Sequence, residues 1–114
     1  MTLKAEFPAF ADQDREWIKT YSVCEVDLGC ARGHFLAACA EMFPDRCFIG
    51  IEWQAERVRR TSRKLRRGDL KNGRVFRAEN AEFLSGSLPR ASVDVLHVLF
   101  ADPWPKRRHA RRRL

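Results

Sequence analysis

A glycine-containing turn preceded by an acid is the first feature of this sequence that could bind a ligand. The segment DLGCARG places Asp27 two residues before Gly29, and Gly33 follows at its end. Glycines let the backbone bend tightly and approach a ligand closely, because a Cβ atom would clash there. Glu52 ends the next apolar run, where an acid can accept two hydrogen bonds from a ribose diol. This spacing predicts a nucleotide site.

Two nucleotide cofactors use turns of this kind, and the sequence favours one of them. The dinucleotide fingerprint is GxGxxG, whereas this turn reads GCARG with Asp27 just before it. A carboxylate there would repel a pyrophosphate, but it would attract the ammonium and sulfonium groups of S-adenosylmethionine. S-adenosylmethionine is therefore favoured over NAD. A glycine turn that binds no ligand remains the other alternative.

The elements that must position these residues alternate between strands and helices. Apolar and β-branched runs predict strands over residues 21–28, 47–53, 74–78 and 93–100. Helical spacing predicts helices over residues 10–20, 34–43 and 54–67, the last closed by Gly68, and a helical turn over 81–84. This alternation predicts an α/β fold with helices on both faces of a parallel sheet of order 3-2-1-4. Ligands bind such sheets at the carboxyl ends of the strands, near the point where strand order reverses.

Composition predicts one globular domain that spans residues 1–114. The chain is 45% hydrophobic and 11% aromatic, which argues against disorder. The sequence contains neither a long apolar run nor the layout of a secretory signal, so we expect a cytoplasmic protein with no membrane partner. The four cysteines form no CxxC pair and are not spaced with histidines as zinc ligands would be. We therefore expect structural thiols and no metal.

The positive charge of the chain is confined to two short segments. The formal net charge is +7, yet residues 1–56 carry five basic and ten acidic side chains. Residues 57–71 carry eight basic side chains and one acidic one, and residues 106–114 carry six basic ones. A single cluster would fit a solvated helix face or a frayed tail. Two clusters on an otherwise acidic chain favour a polyanionic partner.

Four blocks of the sequence together resemble a known enzyme family. The runs DLGCARGHFL, FIGIEWQAERVRR, RVFRAENAEFL and VLHVLFADPWPKRRHARRRL are similar to successive blocks of the bacterial tRNA (guanine-N7-)-methyltransferases over residues 24–114. The run DPWPKRRH in the last block is the most specific. The resemblance implies a Rossmann-like class I methyltransferase fold. It also implies transfer of a methyl group from S-adenosylmethionine to N7 of guanine in tRNA.

The resemblance also implies roles for individual residues. Cofactor contacts fall on Asp27, Glu52, Asn80 and Asp102, which join Gly29 and Gly33 of the glycine turn in the predicted cofactor site. Asp102 is also implied as the catalytic acid, which would act by orienting the substrate and by its charge. The alternative role for Asp102 is that of a helix cap or turn residue before a proline. Contacts to the RNA substrate fall on Lys106, Arg108, Arg111, Arg112 and Arg113. The sequence departs from the family at Ala31, which replaces a glycine and is expected to keep a negative φ. It departs again at Ala101, which replaces a proline.

Alternative functions stay open at this point. The second hypothesis is an inactive or truncated fragment that binds cofactor or RNA without catalysis, because enzymes of the family continue with further strands and only four can be counted here. The apolar run VDVLHVLF of the fourth strand would then form an open sheet edge. We expect poor solubility or a homodimer through that edge. A third hypothesis, methylation of a small molecule, leaves the two basic clusters unexplained.

Overall fold

The structure, a computed structural model, describes residues 6–86 and 93–98. Within them, helices and strands alternate as the sequence predicts. Most element ends lie one or two residues from the predicted ones, and the predicted helical turn is a helix of seven residues. In chain order the elements are α1 (Asp12–Lys19), β1 (Val23–Leu28), α2 (His34–Met42), β2 (Arg46–Glu52), α3 (Ala55–Arg67), β3 (Gly73–Arg77), α4 (Asn80–Gly86) and β4 (Val95–Val98).

The four strands form one parallel sheet of order β3-β2-β1-β4. This confirms the predicted order. The order reverses between β1 and β4, and Asp27 of β1 lies there with Gly50 of β2 on one side and His97 of β4 on the other. All strands end at the same edge of the sheet, so the loops after β1, β2 and β3 meet there.

The sheet has a separate apolar core on each face. On one face, β-strand residues such as Val26 and Ile49 pack with Ile18 of α1 and Phe83 of α4. On the other face, the core contains residues of α2, β2 and α3: Leu36, Ala40, Phe48 and Leu65. Successive side chains of a strand point to opposite faces, so β2 contributes Ile49 to the first core and Phe48 to the second. Strand β1 contributes only to the first core, because its other face carries Glu25 and Asp27. Helices on both faces are therefore confirmed.

The fourth strand differs from the other three in its exposure. Its sequence is nearly as apolar as that of a central strand, but it is paired only with β1 in the described part of the chain. Val95, Leu96 and Val98 are 38%, 45% and 56% exposed. The strand is described only to Val98, so the predicted continuation to residue 100 lies outside the described residues.

Helix α3 ends at Arg67 with Gly68 as its C-cap, as the sequence predicts, but the left-handed residue lies one position later. Gly68 is the C-cap residue, but its φ of −83° is ordinary helical backbone. The left-handed residue that usually follows a helix is instead Asp69, with a φ of 51°. At the other end of the chain, the Asp14 carboxylate accepts a hydrogen bond from the backbone N–H of Ala11 and so caps α1.

Candidate functional site

The glycine turn after β1 follows an irregular backbone path. Gly29 and Gly33 have φ values of 69° and 78°, in the left-handed region that favours glycine. The N–H groups of Gly29 and Cys30 both donate to the carbonyl of Ile51, at 2.8 and 3.0 Å. These bonds fasten the start of the turn to the end of β2, which places the turn at the carboxyl edge of the sheet.

Ala31, in the middle of the turn, contradicts the sequence prediction. Its φ is 52°, not negative. This conformation costs an alanine about 1–2 kcal/mol. The turn offsets part of this cost, because the Ala31 N–H donates to Oε1 of Glu52 at 3.0 Å. The Ala31 carbonyl lies 3.3 Å from Oγ1 of Thr61, whose single proton it shares with the nearer carbonyl of Arg57 at 2.9 Å. Tertiary hydrogen bonds therefore hold a backbone conformation that the residue type disfavours.

Glu52 connects the turn to the following loop. Its side chain is buried at the end of β2, where Oε1 accepts from Ala31 and Oε2 accepts from the N–H of Gln54 at 2.9 Å. Each carboxylate oxygen can accept more than one hydrogen bond, so both retain capacity for hydroxyl donors. The predicted ribose contact is compatible with this geometry and stays a prediction.

Asp27 carries an unsatisfied oxygen. The residue is only 2% exposed, and Oδ1 has no hydrogen-bond partner in the described part of the chain. Burial raises the pKa of Asp27 from its ordinary value of 3.8 to about 6, while the nearby His97 acts in the opposite direction. A buried carboxylate without a donor is costly unless a cationic or hydrogen-bonding ligand approaches it. The residues therefore fit a ligand that carries an ammonium group.

A polar network lies beneath Asp27, and sequence reasoning missed it. Oε2 of buried Glu25 accepts from Arg46 at 3.0 Å, and Oε1 lies 2.7 Å from Nε2 of His97. This contact gives the His97 ring a hydrogen-bond partner inside the sheet. The network joins β1, β2 and β4 on the face that carries Asp27. The signal in the sequence was Glu25, which lies two residues before Asp27 in the strand VCEVDL and therefore on the same face.

Two residues of α3 support the turn and were also missed. Thr61 is fully buried, and a Cβ atom at Gly33 would lie 2.5 Å from its Cγ2. Lys64 donates from Nζ to the carbonyl of Arg32 at 2.9 Å. Thr61 lies between Val58 and Leu65 on the buried face of α3, three and four positions from them. This helical spacing was the signal that could have identified Thr61 as buried.

The structure brings together part of the predicted site. Asp27, Gly29, Gly33 and Glu52 meet at the ends of β1 and β2. Asn80 is exposed at the start of α4. It lies two residues after Ala78, whose backbone N–H donates to the carbonyl of Glu52 at 3.3 Å. The remaining predicted residues lie outside the described part: Asp102, Lys106, Arg108, Arg111, Arg112 and Arg113.

The cysteines are free thiols in the structure. Cys24, Cys30 and Cys47 are buried, and Cys39 is half-buried. No cluster of three metal-ligating side chains occurs within residues 6–86 and 93–98. In the same residues, no helix is both long enough and apolar enough to cross a membrane.

The sheet order and the glycine turn after β1 are those of the Rossmann-like fold, the fold of class I methyltransferases and of dinucleotide-binding proteins. The comparison of sequences makes the assignment specific. The family described as "Putative methyltransferase" matches residues 21–114. The chain belongs to this family.

Curated relatives share the family and are longer than this chain. A tRNA (guanine-N(7)-)-methyltransferase of Leifsonia xyli subsp. xyli is 40% identical over 89 residues, which cover 78% of this chain and 39% of the relative. The enzyme of the same name from Geobacter metallireducens (strain ATCC 53774 / DSM 7210 / GS-15) is 36% identical over 89 residues, which cover 78% of this chain and 42% of the relative. The chain thus spans about two fifths of the length of the curated relatives it matches.

Solved structures share the fold over most of the chain. The 16S rRNA methyltransferase KamB matches with a TM-score of 0.66 and 27% identity, covering 82% of this chain and 44% of that protein. The aminoglycoside resistance methyltransferase NpmB1 matches with a TM-score of 0.61 and 28% identity, covering 79% and 45%. Both matches cover less than half of the neighbour.

Proposed function

We propose that this chain is the cofactor-binding part of a methyltransferase that transfers a methyl group from S-adenosylmethionine to N7 of guanine in tRNA. The family membership supports the reaction class. The names of the relatives at 36–40% identity support the substrate. The single observation that carries the proposal to the chain's own residues is the buried Asp27 oxygen that has no partner among the described residues.

The cofactor proposal follows from the polar groups at the ends of β1 and β2. Asp27 is suited to an ammonium group, because its unpartnered oxygen gains a donor and its charge gains a counter-ion. Glu52 retains acceptor capacity for the two hydroxyls of a ribose. The left-handed turn at Gly29 leaves no Cβ atom between the backbone and the ligand. Asn80 is proposed beside the adenine.

The chemistry requires positioning more than proton transfer. When bound, S-adenosylmethionine supplies an electrophilic methyl group on a sulfonium. Guanine N7 carries a lone pair and no proton, so the chain needs no general base. Its residues have to align the base in line with the methyl group and stabilise positive charge as it reaches the purine. We assign this orienting role to Asp102, and contacts with the tRNA to Lys106 and the arginines that follow.

The proposal is tested by methyl transfer and nucleoside analysis. The chain is incubated with labelled S-adenosylmethionine and an unmodified tRNA transcript, and the RNA is digested to nucleosides. We expect label in 7-methylguanosine, and its loss in Asp102→Asn. Label in another nucleoside would contradict the assigned position, and label in small molecules but not in tRNA would contradict the substrate.

A second candidate function is binding without catalysis. The observation that favours it is the exposure of β4, whose outer side is unpaired in the described part of the chain. Such an edge pairs readily with a second strand, which supports a homodimer through β4. In this case calorimetry detects cofactor binding while nucleoside analysis finds no methylated guanosine.

A further inference from the structure

Two adjoining grooves run along the outer edge of β3, with which no strand of the described residues pairs, away from Asp27. The first has a volume of about 480 Å³ and lies between the segment at Phe7, helix α3 and the end of β3. The second, of about 440 Å³, continues toward the start of β3. They share Ser62, Arg66 and Phe76, so together they form one trench, which we call the β3 groove.

The β3 groove is lined mainly by basic side chains. Its three acidic side chains are Glu6, Asp14 and Asp69, and the first two are paired with groove arginines. The basic side chains outnumber the acids by two to one, and they are Arg59, Arg63, Arg66, Lys71, Arg74 and Arg77. The groove therefore attracts an anionic ligand.

Apolar groups and arginines alternate along the same surface. The Phe7 ring lies under the guanidinium groups of both Arg59 and Arg77, at 5.5 and 5.6 Å from its centroid. Val75 and Phe76 of β3 also line the groove. Phe76 belongs to the core and two guanidinium groups lie over Phe7, so the groove presents a row of cations on an apolar floor rather than an open ring on which a base could stack. A row of cations matches the successive phosphates of a nucleic-acid backbone better than a single small anion.

One end of the groove adjoins the candidate cofactor site. Arg77 is the register partner of Glu52, and its Nε donates to the carbonyl of Trp53 at 2.8 Å. A strand of RNA in the groove would thus pass beside the carboxyl edge of the sheet. An extended peptide is disfavoured as the occupant, because Arg74 and Arg77 place charges on the very edge that a peptide strand would pair with.

We propose that the β3 groove binds the sugar–phosphate backbone of the RNA substrate, with Arg63 and Arg66 of α3 as its phosphate contacts. This inference rests on the proposed function for the choice of RNA. It assigns RNA binding to one face of α3, although basic residues occur all round that helix. It also adds a contact surface separate from the one proposed at Lys106 and the arginines after it.

Helix α3 offers a matched control for the test. Arg60 and Arg67 lie on the same helix but do not line the groove. Arg60, like Arg63, is paired with Glu56. The double variant R63Q/R66Q and the control R60Q/R67Q therefore remove the same charge from the same helix. Both are titrated with a labelled unmodified tRNA transcript at several salt concentrations, and circular dichroism checks that they are folded.

The expected result is a difference between the two variants. Each lost phosphate contact lowers the slope of log affinity against log salt by about 0.7–0.9, so R63Q/R66Q should lower it by about 1.5. R60Q/R67Q should leave the slope close to that of the unmodified chain. Equal loss in both variants, or no loss in either, would overturn the proposal. So would equal competition by polyglutamate and by single-stranded RNA at matched charge.

Methyl transfer on the same samples separates this inference from the proposed function. If no 7-methylguanosine forms but only R63Q/R66Q weakens tRNA binding, the groove is supported and the proposed function fails. If 7-methylguanosine forms and both variants bind tRNA equally well, the groove proposal fails and the proposed function stands.

Discussion

Replacement of Asp27 by asparagine should stabilise the apo chain and weaken cofactor binding. Burial raises the pKa of Asp27 from 3.8 to about 6, so the folded chain loses stability when Asp27 ionises. Each pKa unit is worth about 1.4 kcal/mol, so ionised Asp27 costs the apo chain about 3 kcal/mol near neutral pH. The uncharged amide of Asp27→Asn removes this cost, apart from the desolvation of the amide itself, which does not depend on pH.

The sign of the pH dependence follows from the raised pKa. Below about pH 3 both the folded and unfolded chains hold the Asp27 proton, so the residue does not penalise folding. As the pH rises, the unfolded chain releases the proton first, and stability falls until the folded chain releases it near pH 6. The advantage of Asp27→Asn over the unmodified chain should therefore grow by about 3 kcal/mol between about pH 3 and pH 7.

Cofactor binding should change in the opposite direction. Asp27→Asn removes a charge-assisted contact to the ammonium group, which should weaken binding of S-adenosylmethionine by about 10- to 100-fold. In the unmodified chain, affinity should fall as the pH drops below about 6, since binding requires the ionised carboxylate. Calorimetric titration at several pH values measures both effects.

The stability prediction is checked by urea unfolding of both proteins across this pH range, followed by circular dichroism. The control is Asp94→Asn, the same chemical change in the segment that leads into β4. Asp94 already accepts a hydrogen bond from the backbone N–H of Cys24 at 2.7 Å, so its replacement should give no stabilisation. A stability difference for Asp27→Asn that stays constant with pH, or one that shrinks toward neutral pH, would refute the reasoning.

Other variants test the turn and the sheet edge. Glu52→Ala should weaken S-adenosylmethionine binding by about 1–3 kcal/mol in calorimetry, and unchanged affinity in the folded variant would exclude Glu52 from the site. Ala31→Gly should raise the unfolding free energy by about 1 kcal/mol, since glycine accepts the φ of 52°; destabilisation would contradict this. Gly33→Ala should lower it by about 2 kcal/mol or more, because the new Cβ meets Thr61; a neutral result would contradict that contact. Leu96→Lys, on exposed β4, should convert a dimer to a monomer in light scattering, and an unchanged mass would exclude this edge.

The architecture was predictable because it depends on patterns local in sequence. Short apolar runs identify the strands, and apolar residues three and four positions apart identify the helices. Because crossovers between parallel strands are right-handed, few arrangements of these elements are possible. The order β3-β2-β1-β4 follows, and it brings Asp27 and Glu52 to neighbouring strand ends. For this reason the core of the candidate site could be located from the sequence alone.

The state of each site residue depended instead on contacts between distant parts of the chain. Ala31 has a positive φ, and its N–H is bound by the side chain of Glu52, 21 residues away. The Glu25–His97 contact joins residues 72 positions apart. Residue type gives the average behaviour of a side chain or backbone, and such contacts override it.

The sequence by itself determined which residues could form a cofactor site and at which edge of the sheet. Only the tertiary structure decided that Asp27 is buried with an unpartnered oxygen, and that one face of basic α3 lines a groove. The physical reason is that burial and electrostatic fields are sums over neighbours in space. A linear pattern specifies a residue's own charge and spacing, but not which groups the fold brings next to it.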